Sequence, residues 1–301
     1  MAIEHSDRLE RAKLSLIGLS VGDAFGESFF DSHPQLVNRI AERRIPPGRW
    51  PFTDDTMMAL SIVSVLKEYK EINQDALAAS FARNFDPVRG YGLAMHHALP
   101  RMAAGERWSS VASNLFGGEG SFGNGASMRV APVGGYFADD ILEARRNAAL
   151  SAEVTHTHPE AAAGAIAVGL AAAWAARMSN TEVPTPGEFI EKVVKGVPDS
   201  MTRRGILKAQ EVPPLATPSD AAAILGCGQQ ITTQDTVPFV IWCAAHYLED
   251  YENALWNTVS AFGDMDTTCA MVGGIVVLYS GIEGIPKQWL VQREALPDLP
   301  I

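Results

Sequence analysis

Cysteine is scarce in this sequence, and basic residues are outnumbered by acidic ones. The 301 residues include three cysteines, Cys227, Cys243 and Cys269, which are too few and too scattered for a disulfide framework or a zinc ribbon. We expect them to be small core residues in a reducing compartment. Lysine and arginine total 24 against 35 aspartates and glutamates, a net charge of −11. This balance disfavours non-specific binding to nucleic acids or anionic membranes, but it allows a small anionic ligand in a local pocket.

Long hydrophobic runs are missing as well. The two longest charge-free runs, residues 161–176 and 267–282, have 16 residues each, which is short of the roughly 20 needed to span a bilayer. Both are rich in alanine and glycine, so we expect them to be buried core helices. Glu4, Asp7 and Glu10 precede the first apolar stretch, which is unlike a signal peptide. We therefore expect a soluble, cytoplasmic protein that does not associate with membranes.

Polar–apolar alternation, the pattern of half-buried strands, is nearly absent, and no long internal repeat is visible. Helical spacing dominates instead. It predicts helices around residues 9–17 and over residues 56–69, 159–178, 236–248 (with Pro238 in the first turn), 253–262 and 267–279. Residues 183–218, richer in proline and charge, are expected to form surface helices and loops. The pattern therefore predicts an all-α fold, with residues 1–301 in a single domain.

Two acidic clusters stand directly before two of the predicted apolar helices. They are Thr53-Asp54-Asp55-Thr56 and Asp264-Met265-Asp266-Thr267-Thr268. Helix capping explains one such residue in each cluster, but not several, because neighbouring carboxylates repel one another unless a cation lies between them. The donors on offer are carboxylate and hydroxyl oxygens, which favour Mg²⁺ or Mn²⁺ over zinc. Two matching clusters favour a metal site over capping alone.

A glycine-rich loop occupies residues 117–125 and contains a G-x-G-x-x-G match from Gly118 to Gly123. No strand precedes it and no parallel-sheet pattern follows, so a dinucleotide-binding fold is rejected. Glycines nevertheless let backbone N–H groups approach a phosphate closely, and Phe122 offers a ring on which a base can stack. A tight turn before a helix that begins near Ala126 is the alternative interpretation.

Two histidines, His156 and His158, precede the alanine-rich helix. Their spacing occurs in zinc amidohydrolases, where such pairs end a barrel strand, but no barrel is visible here. Two alternatives are that Thr157 or His158 caps the helix, or that a histidine donates to a ligand diphosphate. His96 and His97 have no evident partner and are interpreted as ordinary helical residues.

Several short motifs follow one another along the chain: Gly-Asp-Ala-Phe-Gly at 22–26, Gly-Arg-Trp-Pro-Phe-Thr-Asp-Asp-Thr at 48–56, Gly-Asn-Gly-Ala-Ser-Met-Arg-Val-Ala-Pro at 123–132, Thr-His at 155–156, Gly-Asp-Met-Asp-Thr at 263–267 and Gly-Ile-Glu-Gly-Ile-Pro-Lys-Gln-Trp at 281–289. In this order they resemble the ADP-ribosylglycohydrolase family, which includes dinitrogenase-reductase-activating glycohydrolase and the ADP-ribosylarginine and ADP-ribosylserine hydrolases. The resemblance covers nearly the whole chain. It implies a compact orthogonal helical bundle with two Mg²⁺ or Mn²⁺ ions.

Carried over by position, the resemblance implies a set of metal ligands and a set of substrate-binding residues. The metal ligands would be Thr53, Asp54, Asp55, Asp264, Asp266 and Thr267, with Asp266 bridging the ions. The diphosphate and adenine would contact Gly120, Ser121, Phe122 and Gly123, with His156 near the distal ribose. Asp54, Asp55 and Asp266 would be catalytic, and either Asp55 or Asp266 would activate water.

Two positions depart from the family pattern. Phe30 stands where the family often has a glutamate, so Glu27 is expected to take that place in substrate binding. In the second acidic motif, Phe262 and Met265 replace a glycine and a threonine.

The resemblance implies a metal-dependent hydrolase that cleaves the bond between ADP-ribose and an acceptor, expected to be a protein. A non-catalytic ADP-ribose-binding or toxin-immunity protein of the same fold is the main alternative, and a zinc amidohydrolase that uses His156 and His158 is the weaker one. The sequence does not distinguish arginine, serine, a nucleobase or a small molecule as the acceptor.

Overall fold

A computed structural model describes residues 4–30, 35–179 and 181–297. Over these residues the chain is helical and has no strand beyond two isolated bridges, Trp50–Arg293 and Gly123–Thr232, which confirms the predicted all-α class. The α-helices are α1 His5–Glu27, α2 Leu36–Ala41, α3 Asp54–Tyr69, α4 Gln74–Arg83, α5 Leu93–Ala103, α6 Trp108–Ser113, α7 Ala131–Tyr136, α8 Ile141–Glu153, α9 Pro159–Met178, α10 Pro186–Val194, α11 Met201–Ala209, α12 Pro218–Leu225, α13 Thr233–His246, α14 Tyr251–Val259, α15 Met265–Ser280 and α16 Lys287–Gln292. Short 3₁₀ helices span Leu115–Gly118, Asn124–Ala126 and Ile282–Gly284.

The centre of the fold is a close antiparallel contact between α1 and α15. Gly18, Gly22 and Gly26 recur every four residues on α1 and face the backbone of α15. A Cβ atom at Gly22 would lie 2.1 Å from the carbonyl oxygen of Cys269, so only glycine fits there. The contact brings the C-terminal end of α1 beside the N-terminal end of α15, where the second acidic cluster begins.

Replacement of Gly22 by alanine is expected to lower the Tm by roughly 2–5 °C or more, because an added methyl in a filled core typically costs ~1–3 kcal/mol or more. The clash is with backbone, which cannot rotate away. Gly187, in the first turn of α10, is the matched control because no atom lies within 4 Å of its ideal Cβ position. Thermal unfolding of both variants checks the prediction, and equal Tm values for Gly22→Ala and Gly187→Ala would contradict it.

The second core helix, α9, is long and apolar enough to cross a membrane by length and composition. However, 72% of its most apolar window is buried inside the protein, as in a core helix. The cysteines also lie where the composition predicted, because all three are buried and free.

Several predicted helix boundaries were wrong, mostly by a few residues. Helix α9 spans the predicted residues, but α3 and α15 each begin two residues earlier, inside the acidic clusters. Helix α13 begins at Thr233, so Pro238 lies in its interior and not in its first turn. The start of α13 was not predicted because residues 233–236 are mostly polar. The ring of Pro238 packs against Gly205 of α11, where a side chain would collide with it. No helix begins at Ala126, because a 3₁₀ turn ends there and α7 starts at Ala131.

Candidate functional site

A cavity of about 670 Å³ lies where the starts of α3 and α15 meet the glycine-rich loop. Its volume is typical of small-molecule sites. Nine of the predicted site residues line it, namely Asp54, Asp55, Ser121, Phe122, Gly123, His156, Asp264, Asp266 and Thr267. The other three, Thr53, Glu27 and Gly120, are not among its lining residues. The structure therefore brings both acidic clusters and most of the loop to one place.

The start of α3 is held by a buried aspartate from α1. Asp23 is fully buried and accepts hydrogen bonds from the backbone N–H and hydroxyl groups of both Thr53 and Thr56, at 2.5–3.1 Å. Thr53 also caps the helix by accepting from the Asp55 N–H at 3.4 Å. The Asp54 N–H donates to the carbonyl of Arg89 at 2.8 Å. These contacts fix the backbone, so the carboxylates of Asp54 and Asp55 need not cap the helix and face the cavity.

The start of α15 is arranged differently. Asp264 occupies the capping position, but its side chain makes no capping hydrogen bond. Its carboxylate accepts from the Asn124 amide at 2.7 Å, and the same amide group lies 3.1 Å from the hydroxyl of Thr236. Asn124 thereby ties the end of the glycine-rich loop to the second acidic cluster. Capping alone does not explain this aspartate.

The acidic cluster carries a large electrostatic cost in the absence of cations. Burial, followed by the charge of Asp23, raises the pKa of Asp54 to about 8. Burial and neighbouring carboxylates raise the pKa values of Asp55 and Asp266 well above the usual range for aspartate. Burial also raises the pKa of Asp264, and it raises that of Asp23 to about 6 despite its four donors.

The donor set fits hard divalent cations. Oδ1 of Asp55 and Oδ1 of Asp266 are buried and have no hydrogen-bond partner among the described residues. Buried carboxylate oxygens without partners are costly, and an ion that prefers oxygen ligands removes the cost. Among the described residues, no group of three or more His, Cys, Asp or Glu side chains is already close enough together to hold a metal ion. The identity and number of ions therefore belong to the proposal below.

The glycine-rich loop is pinned to the segment before α13. The Thr233 N–H donates to the Phe122 carbonyl at 3.0 Å, and the Asn124 N–H donates to the Ile231 carbonyl at 3.2 Å. Gly120 does not reach the cavity, because its α-carbon faces Thr157, whose hydroxyl would lie 2.1 Å from an added Cβ. Glycine is required at this position because of the close packing and because the backbone has a φ of 76°.

The two histidines have separate roles. His158 caps α9 by accepting from the Glu160 N–H at 3.1 Å, and its ring packs edge-to-face on Phe122 with centroids 5.3 Å apart. His156 is buried, and a Cβ added to Gly125 would lie 3.1 Å from its Nε2. Burial, followed by the charge of Arg129, lowers the pKa of His156 to about 3, so the ring is neutral. Of the proposed capping residues, the one that caps α9 is therefore His158.

None of the positions that depart from the family pattern is among the lining residues of the cavity. Glu27 ends α1 half-buried, and burial raises its pKa. Phe30 is exposed. Phe262 adopts a left-handed backbone with φ 59°, a conformation that glycine takes without strain. Met265 is buried, with its carbonyl oxygen 2.2 Å from an ideal Cβ at Gly26, so it forms part of the helix contact.

Sequence reasoning assigned no role to four residues of this region: Asp23, Asn124, Arg129 and His97. Asp23 had a visible signal, a lone charge within the apolar stretch of α1. Asn124 and Arg129 belong to the motif at residues 123–132, but their contacts form only when the helices pack together. His97 lies on the cavity wall, whereas it had been interpreted as an ordinary helical residue.

Comparison with known proteins agrees with the fold and the motifs. The family model described as ADP-ribosylglycohydrolase matches residues 4–300. The chain is 27% identical to ADP-ribosylhydrolase ARH3 of Xenopus tropicalis over 96% of this chain and 93% of that protein. It is 26% identical to ADP-ribosylhydrolase ARH3 of Homo sapiens over 97% and 92%. A solved ADP-ribosylglycohydrolase-related protein complex superposes with a TM-score of 0.64 at 23% identity, covering 96% of this chain and 94% of that one. By the extent of the family match, this chain belongs to the ADP-ribosylglycohydrolase family and is a glycohydrolase enzyme.

Proposed function

We propose that the enzyme is a metal-dependent hydrolase that releases ADP-ribose from a modified acceptor. The observation that carries the proposal is the pair of buried, unpartnered oxygens, Oδ1 of Asp55 and Oδ1 of Asp266, at the starts of two different helices. Both residues line the same cavity as the glycine-rich loop. The relatives named ADP-ribosylhydrolase support ADP-ribose as the group that is released.

Charge balance supports two ions. Four carboxylates line the cavity, those of Asp54, Asp55, Asp264 and Asp266, and Asp23 is a fifth, buried behind the start of α3. Among the described residues, Arg129 supplies the one fully buried guanidinium of this region. Four negative charges are left uncompensated when all are ionised, and two Mg²⁺ or Mn²⁺ ions balance them. We propose Asp54, Asp55, Asp264 and Asp266 as ligands, with the hydroxyls of Thr53 and Thr267 nearby.

The proposed reaction is hydrolysis at the anomeric carbon of the distal ribose. Two cations held by these carboxylates would orient the sugar and would lower the pKa of an attacking water. Asp55 or Asp266 accepts a proton from that water as its oxygen bonds to the anomeric carbon. The bond from this carbon to the acceptor atom breaks, and the leaving acceptor atom takes the proton that the carboxylate accepted from the water. His156, which is neutral, donates to the bound substrate without adding charge.

The loop suits a diphosphate. The N–H groups of Ser121 and Phe122 donate no hydrogen bond to another group of the described residues. Adjacent free N–H groups form an anion-binding surface. The ring of Phe122 is half-buried on the cavity wall, where a base can stack.

The test is release of free ADP-ribose from proteins carrying defined arginine-linked or serine-linked modifications, measured by mass spectrometry with Mg²⁺, with Mn²⁺ and with a chelator. We expect release from at least one substrate, with loss of release on chelation. Tight ADP-ribose binding without release from any substrate would favour the non-catalytic alternative. Release that is unchanged in chelator would overturn the metal dependence.

Removal of the Phe122 ring is expected to weaken ADP-ribose binding by roughly 5- to 150-fold, because a base–aromatic stack contributes ~1–3 kcal/mol. Titration calorimetry of Phe122→Ala and Phe122→Tyr checks this, since tyrosine keeps the stacking face. Metal binding is expected to be unchanged in both variants, because the ligands lie on other segments. Parent affinity in Phe122→Ala would remove Phe122 from the adenine site.

A further inference from the structure

Arg129 is fully buried, and the charge of Asp54 acts on it from beyond hydrogen-bond distance, while its direct polar contacts among the described residues are with uncharged groups. Its Nη2 donates to the carbonyl of Ser151 at 3.0 Å and to Oγ1 of Thr155 at 2.8 Å. Its guanidinium lies 4.5 Å from the centre of the Phe81 ring. A buried charge held by neutral acceptors is costly, so the contacts that it makes call for a functional explanation.

The contact with Thr155 determines where the hydroxyl proton goes. A guanidinium only donates, so Oγ1 of Thr155 is the acceptor in that hydrogen bond. The other polar neighbour of this oxygen among the described residues is Nδ1 of His156, at 2.7 Å. The hydroxyl hydrogen is satisfied when it points at Nδ1, which then accepts. If Nδ1 carried a hydrogen instead, the buried hydroxyl would be left without an acceptor, which is costly.

The far side of the ring faces the loop. Because Nδ1 accepts, the proton of the neutral ring resides on Nε2. Positions of ideal Cβ atoms at Gly123 and Gly125 lie 3.5 and 3.1 Å from Nε2, so this nitrogen lies against the glycine-rich loop. The lack of side chains at both glycines leaves room for a ligand oxygen. The opposite tautomer would present a lone pair to that oxygen and would repel it.

We propose that Arg129 and Thr155 are positioning residues that fix the Nε2–H tautomer of His156, so that this ring donates a hydrogen bond to a phosphate or ribose oxygen at the loop. The chain of contacts runs from Arg129 through the Thr155 hydroxyl to Nδ1. The binding part of this inference rests on the proposed function, whereas the tautomer part does not.

The test compares Thr155→Val, which removes the hydroxyl at nearly constant shape, with Thr155→Ser, which keeps it. Long-range ¹H–¹⁵N spectra report which ring nitrogen carries the proton, and the His156 signals are assigned by their loss in His156→Asn. We expect Nε2–H in the parent and in Thr155→Ser, and a mixture of tautomers in Thr155→Val. ADP-ribose affinity should fall in Thr155→Val by the reciprocal of the Nε2–H fraction, about 2-fold for an even mixture of tautomers, and stay near the parent value in Thr155→Ser. If valine prevents folding, Thr155→Ala replaces it as the hydroxyl-free variant.

The outcomes separate the two ideas. Retention of pure Nε2–H in the hydroxyl-free variant would overturn the positioning role, whatever the affinity. Equal changes in Thr155→Ser and Thr155→Val would also overturn it, because only one of them lacks the hydroxyl. A parent protein that shows the expected tautomer but does not bind ADP-ribose would refute the proposed function and the ligand contact, while leaving the assignment of the tautomer standing.

Discussion

Replacement of Asp55 by asparagine is expected to reduce ADP-ribose release by more than about 100-fold and, at the same time, to raise the Tm of the metal-free protein. A residue that only orients a metal ligand typically contributes 10- to 100-fold, so loss of a ligand itself is expected to exceed that. The stabilisation has a separate cause. Asparagine keeps the shape of the side chain but removes one of several carboxylates that repel one another, and Oδ1 of Asp55 has no partner that would be lost. Initial rates of ADP-ribose release test the loss of activity, and thermal unfolding in chelator tests the increase in Tm.

Asp266→Asn is expected to behave in the same way, because its Oδ1 is equally unpartnered. Asp250→Asn is the control. Asp250 is an exposed helix cap whose Oδ1 accepts from the Asn253 N–H at 2.9 Å, and asparagine caps equally well. We expect this variant to keep the parent rate and Tm. Parent-like rates in both Asp55→Asn and Asp266→Asn would rule out the proposed centre.

Removal of divalent metal is expected to lower the Tm, and the decrease should grow as the pH rises. In the metal-free protein the pKa of Asp54 is about 8, far above its ordinary value. Between roughly pH 4 and pH 8 the folded state therefore binds more protons than the unfolded chain, and its stability falls as the pH increases through this window. Cations that bind the ionised carboxylates stabilise the folded state by mass action.

The measurement is a set of thermal scans at pH 5, 6, 7 and 8, with saturating Mg²⁺ or with chelator. We expect the two series to approach each other at pH 5 and to separate steadily towards pH 8. The Asp55→Asn variant should show a smaller separation than the parent. Identical curves with and without metal at pH 8 would exclude a cation site in this cluster.

The acidic residues of the site were predictable because their signal is local. Several carboxylates before an apolar helix exceed what capping requires, and that excess is visible in the sequence at residues 53–56 and 264–268. The all-α class followed from spacing for a similar reason, since hydrophobic periodicity reports a buried face directly. The predicted helix boundaries were wrong where a helix begins with polar residues, as at Thr233, and where a 3₁₀ turn has the sequence pattern of a helix start, as at Ala126.

The supporting contacts could not be predicted, because they join distant segments. Asn124 meets Asp264 across 140 residues of chain, and Arg129 meets Thr155 across 26. Each pairing exists only after the helices have packed. Gly120 is a further example, because its place in a glycine-rich loop is visible in the sequence, whereas its close approach to Thr157 is visible only in the structure. The type of a residue suggests which chemistry it can perform, but the direction in which it points depends on tertiary structure.

The contact between α1 and α15 can form only after most of the chain has been synthesised. Ser15 of α1 donates to the carbonyl of Gly274, a contact that spans 259 residues of chain. At synthesis rates of roughly 5–20 residues per second, the last residue of α1 is made about 10–50 s before the first residue of α15. During that interval the glycine-lined face of α1 has no partner, and Asp23 and Asp55 exist without Asp266. The nascent enzyme therefore gains the contact between α1 and α15 and its full set of carboxylates together, once α15 has been made, and a chain truncated before α15 is expected to have neither.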